Sequence, residues 1–363
     1  RKKDQEIDFS PYTIDTEDFP YNVWRKLHRN VLLDDREEIL LSGDGQGDYA
    51  LREVIADYLH QARGVNCEAS QIVIGAGNEY LELLLAQVLG KEKRVLMDDP
   101  TYVQAYRTFC NMGYEVHAVP HSHGSMPIET VRQENPDILY VMPSHQYPTG
   151  AVMTIGRRAE LLRWAEREPD RYLIEDDYDS EFRYRGKPIP SLQSSDEKGK
   201  VIYIGTFSKA IAPAIRVSYM VLPGDLLDIY RRDCSFYSCT VSRIDQRILN
   251  EFIRDGYFER HLNKMRMRYR AKHDLLLAGL EPFKKQFVIS GEDAGLHLLL
   301  TAKGNVTEQE LLERAAAEKV KAYGMSENMV EATMRKATVL LGFGSIDEAE
   351  MQEGLRRLQK AWL

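Results

Sequence analysis

From about residue 50 onward, short β-rich runs alternate with longer stretches whose apolar residues recur at helical spacing. That alternation constrains the fold more than any other feature, because it is the mark of βαβ units: parallel strands joined by crossover helices that cover both faces of a sheet. The runs Ile72–Ile74, Arg94–Met97, Glu115–Val119, Ile138–Met142, Tyr172–Glu175, Val201–Gly205 and Ile215–Val221 each lie close to a turn residue or a charged stop. Together they predict seven strands in one wide, mostly parallel sheet. Patterns such as Tyr80, Leu81, Leu84, Leu85 and Val88, or Leu161, Leu162 and Ala165, predict the covering helices.

After Pro223 the pattern changes to a long helical tract, Ile244 through Leu280, which carries the basic run Lys264, Arg266, Arg268, Arg270 and Lys272. On a helix these charges spread around the circumference and read as a solvated surface. The remainder has strand-like runs at Phe287–Ile289, Leu296–Thr301 and Thr338–Phe343, with helices at Glu308–Glu318 and Ile346–Leu363. The expected organisation is an arm over 1–38 anchored by Phe19-Pro20 and Trp24, a large α/β domain over 39–270, and a small α+β domain over 271–363.

Composition narrows the function. With 43% hydrophobic and 29% charged residues in 363, the chain can bury a sizeable core, and disordered, collagenous and coiled-coil readings fall away. Forty-eight Lys and Arg against 56 Asp and Glu give a net charge of −8, so nothing draws the whole chain toward nucleic acid. Cys67, Cys110, Cys234 and Cys239 form no CxxC pair and have no histidine at zinc spacing, which suits free thiols in a reducing cytoplasm and no metal site. No apolar run approaches a membrane span. The basic, Met-less start at Arg1 reads as a cut from a longer polypeptide or a processed tag.

Five segments that follow strands carry the chemistry. In Gly205-Thr206-Phe207-Ser208-Lys209, followed by Arg216, a lysine sits in a turn at the carboxyl edge of the sheet, where α/β folds bind ligands. A desolvated lysine there can form a Schiff base with a carbonyl compound, and pyridoxal phosphate is the commonest aldehyde partner. Thr206, Ser208 and Arg216 would then be phosphate ligands. An exposed loop lysine beside a structural arginine is the competing reading of this segment alone.

The apolar strand before Glu175-Asp176-Asp177-Tyr178-Asp179 ends in carboxylates that suit a metal site, a solvated turn, or an acid holding a pyridine nitrogen protonated. In the last case Asp176 is the acid, with Tyr178 near the ring's phenolic oxygen. Gly75-Ala76-Gly77-Asn78 opens a helix with small residues whose amides can approach a phosphate. Asp99-Pro100-Thr101-Tyr102 puts an aromatic ring at the same edge, to stack on a flat cofactor or to pack in the core. In Pro143-Ser144-His145-Gln146-Tyr147-Pro148, His145 reads as a hydrogen-bonded structural residue. Gly43, Gly45 and Gly47 follow no convincing strand and are no dinucleotide fingerprint.

In this order the segments resemble the fold-type I aminotransferase superfamily and, within it, the effector domain of MocR/GabR-type bacterial regulators. The likeness spans nearly the whole chain and is densest over Ile39–Leu222, in Leu51-Arg52-Glu53-Val54, Pro143-Ser144-His145-Gln146-Tyr147-Pro148-Thr149-Gly150, Glu175 through Tyr184 and Gly205 through Lys209. The resemblance implies that Lys209 forms the Schiff base, Asp176 pairs with the ring nitrogen, Tyr178 meets the phenolic oxygen and Tyr102 stacks. It implies too that Ala76, Gly77, Thr206, Ser208 and Arg216 hold the phosphate, and that Tyr147 borders the cofactor where ordinary aminotransferases carry asparagine. It further implies a cytoplasmic homodimer whose contact with DNA runs only through a winged helix-turn-helix outside this chain.

Two departures bear on activity. Leu340 stands where catalytic relatives present an arginine to the substrate carboxylate, and Ser42 where many place a tyrosine that reaches the partner subunit's phosphate. The expectation is therefore a sensor of pyridoxal phosphate or of an amine, with control of vitamin B6 synthesis as one output. A working aminotransferase is the alternative.

Overall fold

The computed structural model describes residues 6–34, 38–121, 124–184, 189–331 and 336–363, so the start Arg1-Lys2-Lys3 lies outside the described residues. Strand β1 (Ile7–Asp8) and helices α1 (Tyr21–Asp34) and α2 (Tyr49–Arg63) come first. The alternating part follows as β2 (Ile72–Gly75), α3 (Asn78–Leu89), β3 (Arg94–Asp99), α4 (Val103–Asn111), β4 (Glu115–Pro120), α5 (Ile128–Glu134) and β5 (Ile138–Val141). It continues through α6 (Ile155–Ala165), β6 (Tyr172–Asp177), β7 (Val201–Thr206), β8 (Ser218–Val221) and α7 (Gly224–Asp233). Helices α8 (Arg243–Arg254) and α9 (Tyr257–Gly279) lead to β9 (Phe287–Ser290), β10 (His297–Ala302), α10 (Glu308–Ala317), β11 (Val320–Lys321), β12 (Tyr323–Gly324), β13 (Thr338–Gly342) and α11 (Glu348–Trp362).

All seven expected strands form one sheet in the order β2-β8-β7-β6-β5-β3-β4, parallel except for β8, which runs antiparallel to both neighbours. Strand β5 shows why the sheet is buried on both faces. Ile138 and Tyr140 pack with Leu84 and Phe109 of α3 and α4, while Leu139 and Val141 pack with Leu161, Leu162 and Trp164 of α6 on the other face. The chain leaves β3 and β5 toward opposite faces, through α4 and α6, so a topological switch point opens between the carboxyl ends of these neighbouring strands.

Three expectations need correction. The seventh strand begins at Ser218, because Pro213–Ile215 form a single 3-10 turn and Arg216 adopts a left-handed φ of 51°. The long helical tract is two helices, separated at Gly256, whose φ of 71° no right-handed helix accommodates. The basic run of α9 is a solvated surface only in part: Lys264 and Arg270 are exposed, but the charges also have fixed partners and Lys272 is buried. Lys264 and Arg268 pair with Asp18, Lys272 lies buried on Asp15 at 2.8 Å, and Arg270 donates to the Tyr184 carbonyl at 2.7 Å. The run binds the N-terminal segment to the body of the molecule.

The four-stranded antiparallel sheet β12-β13-β10-β9 carries α9, α10 and α11 on its apolar side. Ile7, Phe9 and Ile14 join that core, and β1 pairs in parallel with β11. Further along, Phe19 packs edge-to-face on Trp24, and Trp24 on Phe252 of α8. No helix among the described residues is long and apolar enough to cross a membrane.

Candidate functional site

The turns that follow the sheet strands converge on a cleft of about 320 Å³, within the range of small-molecule sites. Lys209, in the turn after β7, donates from Nζ to the carbonyls of Pro11 and Tyr12, each at 3.3 Å. Burial lowers its pKa, with Asp179 opposing. The N-terminal segment thus forms one wall of the cleft.

The acidic end of β6 is not a solvated turn: all three carboxylates are buried, and strand alternation sends them to two faces. Glu175 accepts from the amides of Leu192 and Gln193 at 2.7 and 2.9 Å. Asp177 accepts from Arg63 Nε at 2.7 Å and from the Tyr203 hydroxyl at 2.5 Å. Asp176 alone of the three lines the cleft. Burial pushes its pKa up to about 7, although the Tyr140 hydroxyl donates to Oδ2 at 2.5 Å.

Tyr178 is fixed from behind: its hydroxyl lies 2.8 Å from His145 Nδ1, which is 2.9 Å from Asp179 Oδ2. His145 is accordingly a buried positioning residue. Tyr102 and Tyr147, which follow the strands flanking the switch point, place their rings edge-to-face with centroids 6.2 Å apart.

At the opposite pole Thr206 accepts from Ser218 Oγ at 2.9 Å and from the Ser208 amide at 3.2 Å. Arg216 swings over Gly77, where a Cβ would lie 2.1 Å from its Nη2 and where φ is +99°, so that this position requires glycine. Arg216 Nη2 also meets Glu79 Oε2 at 2.8 Å, in the first turn of α3.

Of the residues expected from sequence, Tyr102, Tyr147, Asp176, Tyr178, Thr206, Ser208, Lys209 and Arg216 all line the cleft. Ala76 and Gly77 are not among its lining residues. The Ala76 amide is engaged by Thr240 Oγ1 at 2.9 Å and that of Gly77 by the Gly75 carbonyl at 3.0 Å, so the pole is built mainly from side chains. Leu340 is fully buried against Leu299, Tyr323 and Met325 and does not line the cleft, and Ser42 is exposed. Sequence reasoning missed Tyr12 and His297, which arrive from segments with no motif, Glu79, which closes the glycine turn Gly75-Ala76-Gly77-Asn78-Glu79 but was given no role, and Tyr140, whose only signal is a polar tip in an apolar strand.

This topology, with an amine, a buried acid and a hydroxyl-and-guanidinium pole gathered at the sheet's carboxyl edge, defines the fold-type I class of pyridoxal phosphate proteins. The chain belongs to the aminotransferase class I and II family, which it matches over residues 7–358. Within that family it falls with the MocR-type helix-turn-helix transcriptional regulators. It is 40% identical to the HTH-type transcriptional regulator YdeL of Bacillus subtilis, over 99% of this chain and 77% of that protein. It is 30% identical to the probable rhizopine catabolism regulatory protein MocR of Rhizobium meliloti, over 98% and 72%. Among solved structures, the multiple substrate aminotransferase of Thermococcus profundus superposes with a TM-score of 0.86 at 26% identity, covering 99% of this chain and 91% of that one.

The cleft fits the family's cofactor, pyridoxal phosphate. It holds one amine for an aldehyde, one buried carboxylate that has no cationic partner among the described residues, for a protonated ring nitrogen, and one arginine-and-hydroxyl pole for a phosphate.

Proposed function

We propose that this chain is the ligand-sensing domain of a transcriptional regulator, and that it holds pyridoxal phosphate through Lys209. The observation that carries the proposal is that Lys209, Asp176 and Arg216, from three separate segments of the chain, line one cleft. In this reading Lys209 Nζ takes the aldehyde, Asp176 holds the proton on the ring nitrogen and Tyr178 orients the phenolic oxygen. Tyr102 stacks on the ring beside Tyr147, while Thr206, Ser208 and Arg216 grip the phosphate, with Ala76 and Gly77 in the turn that adjoins Arg216. When bound, the cofactor supplies an electrophilic carbon that captures amines. Tyr140 keeps Asp176 in place for the ring nitrogen, and His145 keeps Tyr178 in place.

The family relatives support a regulator over a working aminotransferase, and so does the position of Leu340 inside an apolar cluster. Such a sensor works where the DNA is, in the cytoplasm, and reaches DNA through a partner domain. A homodimer is favoured by a band of exposed apolar side chains: Leu40, Leu41, Tyr49, Leu83 and Phe236. The segments that carry them lie side by side, since Tyr237 reaches Gln87 of α3 at 2.8 Å and its carbonyl abuts Gly45.

Titrating the purified chain with pyridoxal phosphate tests the reading. A visible absorption band that Lys209→Ala abolishes is expected, and no band in the wild-type chain refutes it. Steady turnover of an amino donor and a keto acid would establish the aminotransferase instead. The contact between Glu79 and Arg216 favours a second reading, in which the cofactor itself is the signal and vitamin B6 synthesis the output, because a phosphate must compete with Glu79 for its guanidinium.

A further inference from the structure

The cleft extends beyond the groups assigned to the cofactor, and the inference concerns that far end; it rests on the cofactor reading above. Pro11, Tyr12, Tyr147, Leu296 and His297 wall it. Among the described lining residues the only positively charged side chains are Lys209, which is the reacting amine, and Arg216, at the opposite pole and paired with Glu79. Among the described residues, the far end therefore offers no cation to a carboxylate.

What it offers is acceptors. His297 is buried, and its Nε2 lies 2.7 Å from the Pro148 carbonyl; a carbonyl only accepts, so Nε2 carries the hydrogen. Burial and the neighbouring His145 push the ring's pKa down to about 3, which leaves it neutral with Nδ1 as a lone pair. Tyr147 is 8% exposed, and its hydroxyl lies beside that of Tyr12, to which it gives its hydrogen, so the oxygen keeps its lone pairs as an acceptor. Tyr12 in turn donates to Glu327 Oε2 at 3.4 Å, which places a carboxylate behind the wall.

A ligand ending in a carboxylate would bury its charge against a neutral imidazole and in front of Glu327, with no compensating cation among the described residues of that end. An ammonium meets the opposite: two acceptors and an attractive carboxylate. We propose that the effector is a short aliphatic diamine, with one amine at the cofactor and the other held by Tyr147, His297 and the Tyr12–Glu327 pair. The exchange at the cofactor is redox-neutral. The incoming nitrogen bonds the aldehyde carbon, the bond to Lys209 Nζ breaks, and the two protons shed by the incoming amine pass to Nζ.

The test titrates the cofactor-loaded protein with 1,5-diaminopentane, n-pentylamine and 5-aminopentanoate, following the visible band and, separately, the heat of binding by calorimetry. The three chains have the same length and end in ammonium, methyl and carboxylate. The diamine is expected to half-saturate at a concentration at least fivefold below either competitor, and Glu327→Gln and Tyr147→Phe are each expected to cut that advantage by half or more. An advantage below fivefold, tighter binding of 5-aminopentanoate, no response to the diamine, or an advantage untouched by both variants overturns the proposal. A chain that forms no Lys209-dependent band with pyridoxal phosphate overturns the cofactor reading as well, so the two failures are distinct.

Discussion

Arg216 Nη2 lies 2.8 Å from Glu79 Oε2, so the guanidinium that faces the cleft is shared with a carboxylate in the first turn of α3. Both side chains are about half exposed, at 52% and 46%, and pairs of this kind contribute at most about 1 kcal/mol. A phosphate arriving at Arg216 has to displace or repel Glu79. Glu79→Gln is therefore expected to tighten pyridoxal phosphate binding about two- to fivefold, within that energy. A fluorescence titration of the two proteins checks it, and equal or weaker binding by the variant would contradict the competition.

Asp176 makes stability depend on pH in a definite direction. Burial raises its pKa in the folded chain from 3.8 to about 7, so the native state holds a proton that the unfolded state has already released. Its stabilising contribution is full below about pH 4 and is lost as pH rises through 7. In the cofactor-free protein Asp176→Asn removes this dependence. The melting temperature of the variant relative to wild type should climb between pH 5 and 7.5, and a flat difference across that interval would show that Asp176 does not titrate as inferred.

Asp15 is the tether of the N-terminal wall. It accepts from Lys272 Nζ and Arg268 Nε, both at 2.8 Å, and the side chains of Asp15 and Lys272 are each only 4% exposed. Breaking a buried pair strands its partner's charge and costs about 3–5 kcal/mol. Asp15→Ala should lower the melting temperature by several degrees and, because Pro11 and Tyr12 lie four and three residues upstream, expose the segment to protease. Unchanged melting and unchanged cleavage would together rule the tether out.

Two glycines with nearly the same positive φ separate crowding from conformation. At Gly295, φ +80°, a Cβ would lie 2.0 Å from His145 Cε1; at Gly90, φ +81°, nothing lies within 4 Å. Gly90→Ala should cost about 1–3 kcal/mol from the backbone conformation alone, since φ 81° with ψ 177° is a region open essentially only to glycine. Gly295→Ala adds a displacement of His145, and hence of Tyr178, so its cost in chemical denaturation should exceed that of Gly90→Ala by about 1–3 kcal/mol. Equal costs would mean that His145 moves freely and does not position Tyr178.

Strand content was legible because each core strand advertises itself locally: Ile138-Leu139-Tyr140-Val141 is apolar at every position and lies between Pro136-Asp137 and Pro143. Residues at the ends of such strands were legible for the same reason. A polar or aromatic side chain at the end of a parallel strand, or within a few positions past it, emerges at the carboxyl edge, which is how Lys209, Asp176 and Tyr102 were found. The boundary errors were local as well. Arg216 in a left-handed conformation and Gly256 between two helices are backbone choices that apolar periodicity does not register.

The sequence by itself determined the βαβ order, the sheet and the residues that crowd its carboxyl edge, since these follow from patterns read within a few residues of one another. Only the tertiary structure decided what faces that edge. Tyr12 and His297 meet at the far wall although 285 positions separate them. The basic run of α9 became a clamp because Asp15 and Asp18, some 250 positions upstream, fold back onto it. Electrostatic partners are chosen by proximity in space, and a charge or a hydroxyl carries no local periodicity that announces its partner in advance.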